Sequence, residues 1–200
     1  MEIYAIILKT WAGISVIAFI ALLFKSAPYG RYSMSSWGPS MPSRLGWILM
    51  ESPAVYLMLL FIIFFSNSLG IIELTFTLIW MVHYIHRSFI WPIRAKLEGK
   101  RITLLVVLLA AFFNIVNVYI QGSWIFNFGS YETEWFWSPF FIIGLSIFLI
   151  GLYINIKSDN ILIKLREKYG SGYHIPKGFL FNKISSPNYF GEILEWLGWF

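Results

Sequence analysis

The chain has 200 residues, of which 58% are hydrophobic and 12% charged, with a mean hydropathy of +0.69. An ordinary soluble domain carries about 25% charged residues, so the composition excludes that class. The formal net charge is +5, but the basic residues sit in loops between apolar runs, the pattern of a membrane protein and not of a nucleic-acid binder. There is no cysteine, which removes disulfides, thiolate nucleophiles and Cys-based metal sites.

A hydrocarbon core about 30 Å thick needs about 20 apolar residues per helical crossing. Five runs are read as complete spans: Ile3–Phe24, Trp47–Phe65, Gly70–His86, Ile102–Gln121 and Pro139–Ile156. A sixth begins near Tyr189 and is still running at Phe200. The first run lacks a preceding basic region and a small-residue cleavage site, so it reads as a retained helix rather than a signal peptide. These elements predict an all-α, multi-pass transmembrane helix bundle, with residues 1–200 forming one membrane-embedded domain.

Loop charges alternate. Lys25, Arg31 and Arg44 follow the first span, and the short Ser66–Leu69 turn after the second is uncharged. Arg87, Arg94, Lys96, Lys100 and Arg101 follow the third, and only Glu132 and Glu134 follow the fourth. Lys157, Lys164, Arg166, Lys168, Lys177 and Lys183 follow the fifth. Every Lys and Arg except Lys9 therefore falls on one side. The positive-inside rule makes that side cytoplasmic and puts the N-terminus outside. The membrane is then a bacterial inner membrane or the endoplasmic reticulum.

Ionisable groups within spans are costly and mark functional sites by default. Glu51 lies at the cytoplasmic end of the second span; His83, Tyr84, His86 and Arg87 crowd that end of the third. Asn155 ends the fifth, and Asn188, Glu192 and Glu195 open the sixth. His83 and His86 share a helix face, yet neither a His-rich cluster nor HExxH accompanies them, so no metal site is assigned. Asn114, Asn117 and Gln121 recur at helical spacing and suit interhelical hydrogen bonding. Glu73 lies near the opposite end and stays outside the site.

After the fifth span the chain reads Asn155-Ile156-Lys157-Ser158-Asp159, Leu165-Arg166, Tyr173-His174-Ile175-Pro176-Lys177-Gly178 and Asn188-Tyr189-Phe190-Gly191-Glu192, then Glu195-Trp196. Charge-assisted donors with Gly178 and Gly191 for close backbone approach suit a phosphate-bearing ligand. No GxGxxG follows a strand, which excludes a Rossmann site. This ordered set resembles the steroid 5α-reductase family. Upstream, Glu51-Ser52-Pro53, His83-Tyr84-Ile85-His86-Arg87-Ser88-Phe89 and Gly99-Lys100 resemble further family motifs. The resemblance covers about Gly30 to Phe200.

By that resemblance, Glu51 and Tyr84 contact the carbonyl oxygen of a 3-oxo-Δ4 steroid or similar hydrophobic enone. Asn155, Asp159, Arg166, Tyr173, Asn188 and Glu192 line an NADPH site. Residues 1–121 then supply the carbonyl-binding part and 139–200 an incomplete cofactor-binding part. The resemblance also implies seven helices and a basic, aromatic tail in the full family fold, so this chain reads as lacking the C-terminal end. Gly178-Phe179 stands where the family has two glycines. Alternatives are an enoyl-CoA or polyprenol reductase of the same fold, an S-adenosylmethionine-dependent membrane methyltransferase, and an inactive fragment. The Glu51–Tyr84 pair speaks against methyl transfer, which has no use for carbonyl polarisation. Oligomeric state is not legible.

Overall fold

The computed structural model describes residues 1–25, 38–65, 69–170 and 174–200. It is mostly helical, and its residues cluster into two units: 1–93 with 97–130, and 94–96 with 131–200. Four helical segments among the described residues are long and apolar enough to cross a membrane: Glu2–Phe24, Ser43–Phe64, Leu104–Phe128 and Pro139–Tyr169.

The first unit opens with α1 (Glu2–Phe24), whose side chains are almost all exposed. An apolar helix without a protein partner around it is suited to lipid. It meets the rest of its unit through rings, Tyr4 against Phe128 and Trp11 against Phe112 and Phe113. A short strand β1 (Ser40–Pro42) leads directly into α2 (Ser43–Phe64). Next comes α3 (Ile71–Ile85), followed by one π turn (His86–Ile90) and the single turn α4 (Trp91–Arg94). The strand β2 (Arg101–Thr103) feeds α5 (Leu104–Ser123), which ends in a second π turn, Trp124–Phe128. β1 and β2 pair antiparallel, with Met41 opposite Ile102. This two-stranded clip is an addition to the all-α expectation. Ile102 faces inward there, forming a small core with Met50 and Val107 against which Met41 and Trp47 pack.

Two irregularities in this unit have local causes. Pro53 lies inside α2 and cannot donate a backbone hydrogen bond, which loosens the helix around it. The carbonyls on either side are taken up by neighbouring helices. Asn114 Nδ2 donates to Met50 O at 2.8 Å, and Trp80 Nε1 donates to Ala54 O at 3.0 Å. The π turn after α3 precedes Pro92, and there Trp91 N–H reaches back to His86 O. As a plain α-helix α3 has 15 residues, about 22 Å of rise, so the third expected span becomes long only by continuing through this widened turn.

In the second unit a 3₁₀ turn (Thr133–Trp137) precedes α6 (Pro139–Tyr169). Ser138 caps α6 by accepting Phe141 N–H at 3.1 Å, and Pro139 occupies the first turn, where its missing N–H costs nothing. The helix runs 31 residues, well past the Ile156 boundary expected from hydropathy. Charge ends an apolar run without ending a helix, and no Gly or Pro lies between Ile156 and Gly170, which takes φ +77°. A 3₁₀ turn (Phe179–Asn182) then leads to α7 (Pro187–Trp199).

α6 and α7 run antiparallel at very short range. A Cβ on Gly191 would fall 2.6 Å from both Asn155 N and Gly151 O, and one on Gly151 would fall 2.5 Å from Gly191 O. Gly144 and Gly198 face each other in the same way one level along. Small residues spaced seven apart on both helices let the backbones touch, as in membrane helix pairs generally.

Candidate active site

Glu51 sits on α2 two residues before Pro53, with its side chain 14% exposed. Its Oε2 accepts from Asn114 Nδ2 at 3.0 Å, and Arg87 Nε approaches Oε1 at 3.9 Å. Arg87 itself is stacked, its guanidinium 4.6 Å from the Trp47 ring centroid and 5.4 Å from that of Trp91. Tyr84 on α3 is 3% exposed and packs on Trp80 at 4.5 Å, with His83 edge-on at 4.9 Å. Its hydroxyl accepts from Asn117 Nδ2 at 3.1 Å. The carboxylate and the phenol are thus each tethered to α5, by asparagines one turn apart.

In the second unit Asn155 and Asp159 lie one turn apart on α6, each 3% exposed. Asn155 Nδ2 donates to Asn188 O at 3.1 Å and to Glu192 Oε1 at 3.2 Å. Asn188 Nδ2 in turn donates to Asp159 Oδ1 at 3.2 Å. Two carboxamides and two carboxylates therefore form one cluster across the glycine-mediated contact. Arg166 lies about two turns further along α6 on the same face and is half-buried. Tyr173 lies outside the described residues.

Other sequence expectations shift in detail. Gly191 serves helix packing, because the space a side chain would need is filled by the α6 backbone. Gly178, at φ +89°, has open space around it. Phe179 holds φ +47°, the left-handed region that a second glycine would occupy without strain. Its ring is held by the Lys157 ammonium at 4.4 Å and meets Tyr153 edge-on at 6.2 Å. Glu73 has a local task, accepting Gly70 N–H at 3.0 Å at the start of α3. Among the described residues no three His, Asp or Glu side chains converge as a metal site would require.

Asn114 and Asn117 make the interhelical hydrogen bonds that their spacing predicts, but nothing in that spacing names Glu51 and Tyr84 as the partners. The polar positions on α5 carried half of that signal; the pairing needed the packing of α2, α3 and α5. The Trp47–Arg87–Trp91 stack left no separate trace, because interfacial Trp and Arg are common near any membrane boundary.

Apolar helices of crossing length enclosing buried polar clusters define the class, a helical integral membrane protein. The model of the 3-oxo-5-alpha-steroid 4-dehydrogenase family matches residues 100–200. Steroid 5-alpha-reductase DET2 of Arabidopsis thaliana is 40% identical over 189 residues, covering 90% of this chain and 71% of that protein. Its namesake in Gossypium hirsutum is 36% identical over 205 residues, covering 100% and 76%. The 3-oxo-5-alpha-steroid 4-dehydrogenase 1 of Mus musculus is 36% identical over 187 residues, covering 92% and 73%. The chain belongs to the 3-oxo-5-alpha-steroid 4-dehydrogenase family.

Proposed function

We propose that the chain reduces the C=C bond of a 3-oxo-Δ4 steroid or a similar lipid enone, with NADPH as the reductant. The observation that carries this is the buried phenol of Tyr84, together with the half-buried carboxylate of Glu51, in a chain of this family. The Tyr84 hydroxyl donates a hydrogen bond to the substrate's carbonyl oxygen and keeps its proton, and Glu51 orients that contact. As negative charge is drawn onto the oxygen, the conjugated β-carbon becomes electrophilic. Burial strengthens this polarisation, because water is absent to compete for the oxygen. A proton delivered to the α-carbon completes the saturated ketone.

The cluster of Asn155, Asp159, Asn188 and Glu192 fits a nicotinamide cofactor by its chemistry. Carboxylates accept from ribose hydroxyls, carboxamides pair with a nicotinamide amide, and Arg166 suits a phosphate. Tyr173 is assigned to the same group of residues by motif. NADPH, when bound there, supplies hydride to the β-carbon. Residues 1–121 then carry the carbonyl-binding part and 139–200 the cofactor-binding part of one reductase.

In the membrane, the proposed arrangement places the basic loops and the site toward the cytoplasm, with the N-terminus outside. The test is turnover of a 3-oxo-Δ4 steroid by the membrane-reconstituted chain, read as loss of the reduced-nicotinamide absorbance and as 5α-reduced product. Glu51→Gln and Tyr84→Phe should each lower kcat by about 10²- to 10⁴-fold and leave NADPH affinity within a few-fold. Full turnover in both variants overturns the mechanism.

A further inference from the structure

Residues Arg94–Lys96 follow α4 in the chain but cluster with the second unit. Two contacts tie this strap to α6. Arg94 Nη2 donates to Asn160 Oδ1 at 2.7 Å, and Lys96 Nζ lies 3.6 Å from Glu167 Oε1. Ala95 between them is buried. Asn160 and Glu167 are seven residues apart, so they share a face of α6 and lie about 10 Å apart along its axis. Each directly follows a residue of the candidate cofactor site, Asp159 and Arg166. The strap therefore runs along α6 one row of side chains, about 100°, away from the Asn155–Asp159–Arg166 face.

Lys96 and Glu167 balance each other, but Arg94 faces only a neutral carboxamide. Its side chain is exposed, and among the described residues its remaining N–H groups meet no acceptor. The half-buried Arg166 side chain has no hydrogen bond or ion pair among the described residues. Two guanidinium groups without an anion thus stand at two levels, Arg94 at Asn160 and Arg166 about 9 Å further along α6. A dinucleotide carries its anionic groups in that order. Its pyrophosphate follows the nicotinamide riboside, and the extra phosphate of NADPH lies beyond, on the adenosine ribose. We propose that Arg94 is a cofactor-binding residue that takes the pyrophosphate, and that Arg166 takes the 2′-phosphate. Asn160 positions the Arg94 fork by holding one nitrogen and leaving the others for paired contacts to phosphate oxygens. This rests on the reading of Asn155, Asp159, Asn188 and Glu192 as the nicotinamide-riboside end.

The experiment measures NADPH and NADH affinity of the reconstituted full chain by the fluorescence of the bound reduced nicotinamide, with no steroid present. Both dinucleotides carry the pyrophosphate, and only NADPH carries the 2′-phosphate. Arg94→Met should raise Kd for both by the same factor, about tenfold or more. Arg166→Met should raise Kd for NADPH by about tenfold or more and barely change that for NADH. Lys164→Met removes an exposed charge from another face of α6 and should leave both values within about twofold.

Asn160→Ala separates phosphate binding from a merely structural tie. It removes the same hydrogen bond as Arg94→Met but keeps the cation, so Kd should rise no more than about threefold. Equal losses from these two variants overturn the assignment, as does an unchanged Kd in Arg94→Met. So does a loss confined to NADPH in Arg94→Met, which gives Arg94 the 2′-phosphate instead. Failure of the inference alone leaves wild-type binding intact. Absence of saturable binding of either dinucleotide to the wild-type chain overturns the cofactor reading itself, and the inference with it.

Discussion

Arg87 shows how one side chain can join a charge to an apolar surrounding. Its guanidinium lies over two indoles and approaches the Glu51 carboxylate, with only 12% of the side chain exposed. A planar cation satisfies both contacts at once, whereas an ammonium is a point charge that cannot lie flat between rings. Arg87→Lys should therefore cost about 1–2 kcal/mol of stability, measured as thermal unfolding in detergent. It should cost more than Arg44→Lys, because Arg44 pairs with Glu98 at an exposed site where screening leaves little. Phe179 poses a related question. Its left-handed backbone is unfavourable for any residue but glycine, and the Lys157 contact offsets part of that. A double-mutant cycle of Phe179→Gly with Lys157→Met should give a coupling of about 0.5 kcal/mol, and zero coupling would remove the cation–π account.

The glycine register between α6 and α7 makes a prediction about elements. Gly151 and Gly191 leave no room for even a methyl group, since the atoms in the way are backbone. Gly191→Ala must push the helices apart, at a cost of about 1–3 kcal/mol. The same displacement stretches the Asn155, Asn188 and Glu192 hydrogen bonds, so affinity for the NADPH proposed to bind there should fall together with stability. Gly13→Ala on α1 is the control. Nothing lies within 4 Å of its added carbon, so it should be neutral or stabilise by about 0.5–1 kcal/mol. Equal effects from the two substitutions would show that helix propensity, and not close packing, sets the role of Gly191.

Across the whole molecule the absence of cysteine gives a clean test of topology. A single cysteine at Lys100 should react with an impermeant thiol reagent only from the cytoplasmic side. One at Glu132 should react only from the opposite side. Labelling of both from one side would overturn the charge-based orientation.

The sequence by itself determined the apolar runs, the loop charges and the ordered motifs, because these are properties of neighbours along the chain. Glu51, Tyr84, Asn155, Asp159, Asn188 and Glu192 stand out in the sequence as candidates for that reason, being polar residues at apolar boundaries within matching motifs. Tertiary structure decided the rest. It carried α6 through Tyr169, past the end of the apolar run, where Ile163 is buried by packing and not by lipid. It added the β1–β2 clip, whose three-residue strands are too short to show a period. It gave Gly191 to helix packing and bound Asn114 and Asn117 to Glu51 and Tyr84. Those partners lie more than thirty residues apart in the chain, and only the close approach of α2, α3 and α5 brings their hydrogen-bonding groups within reach.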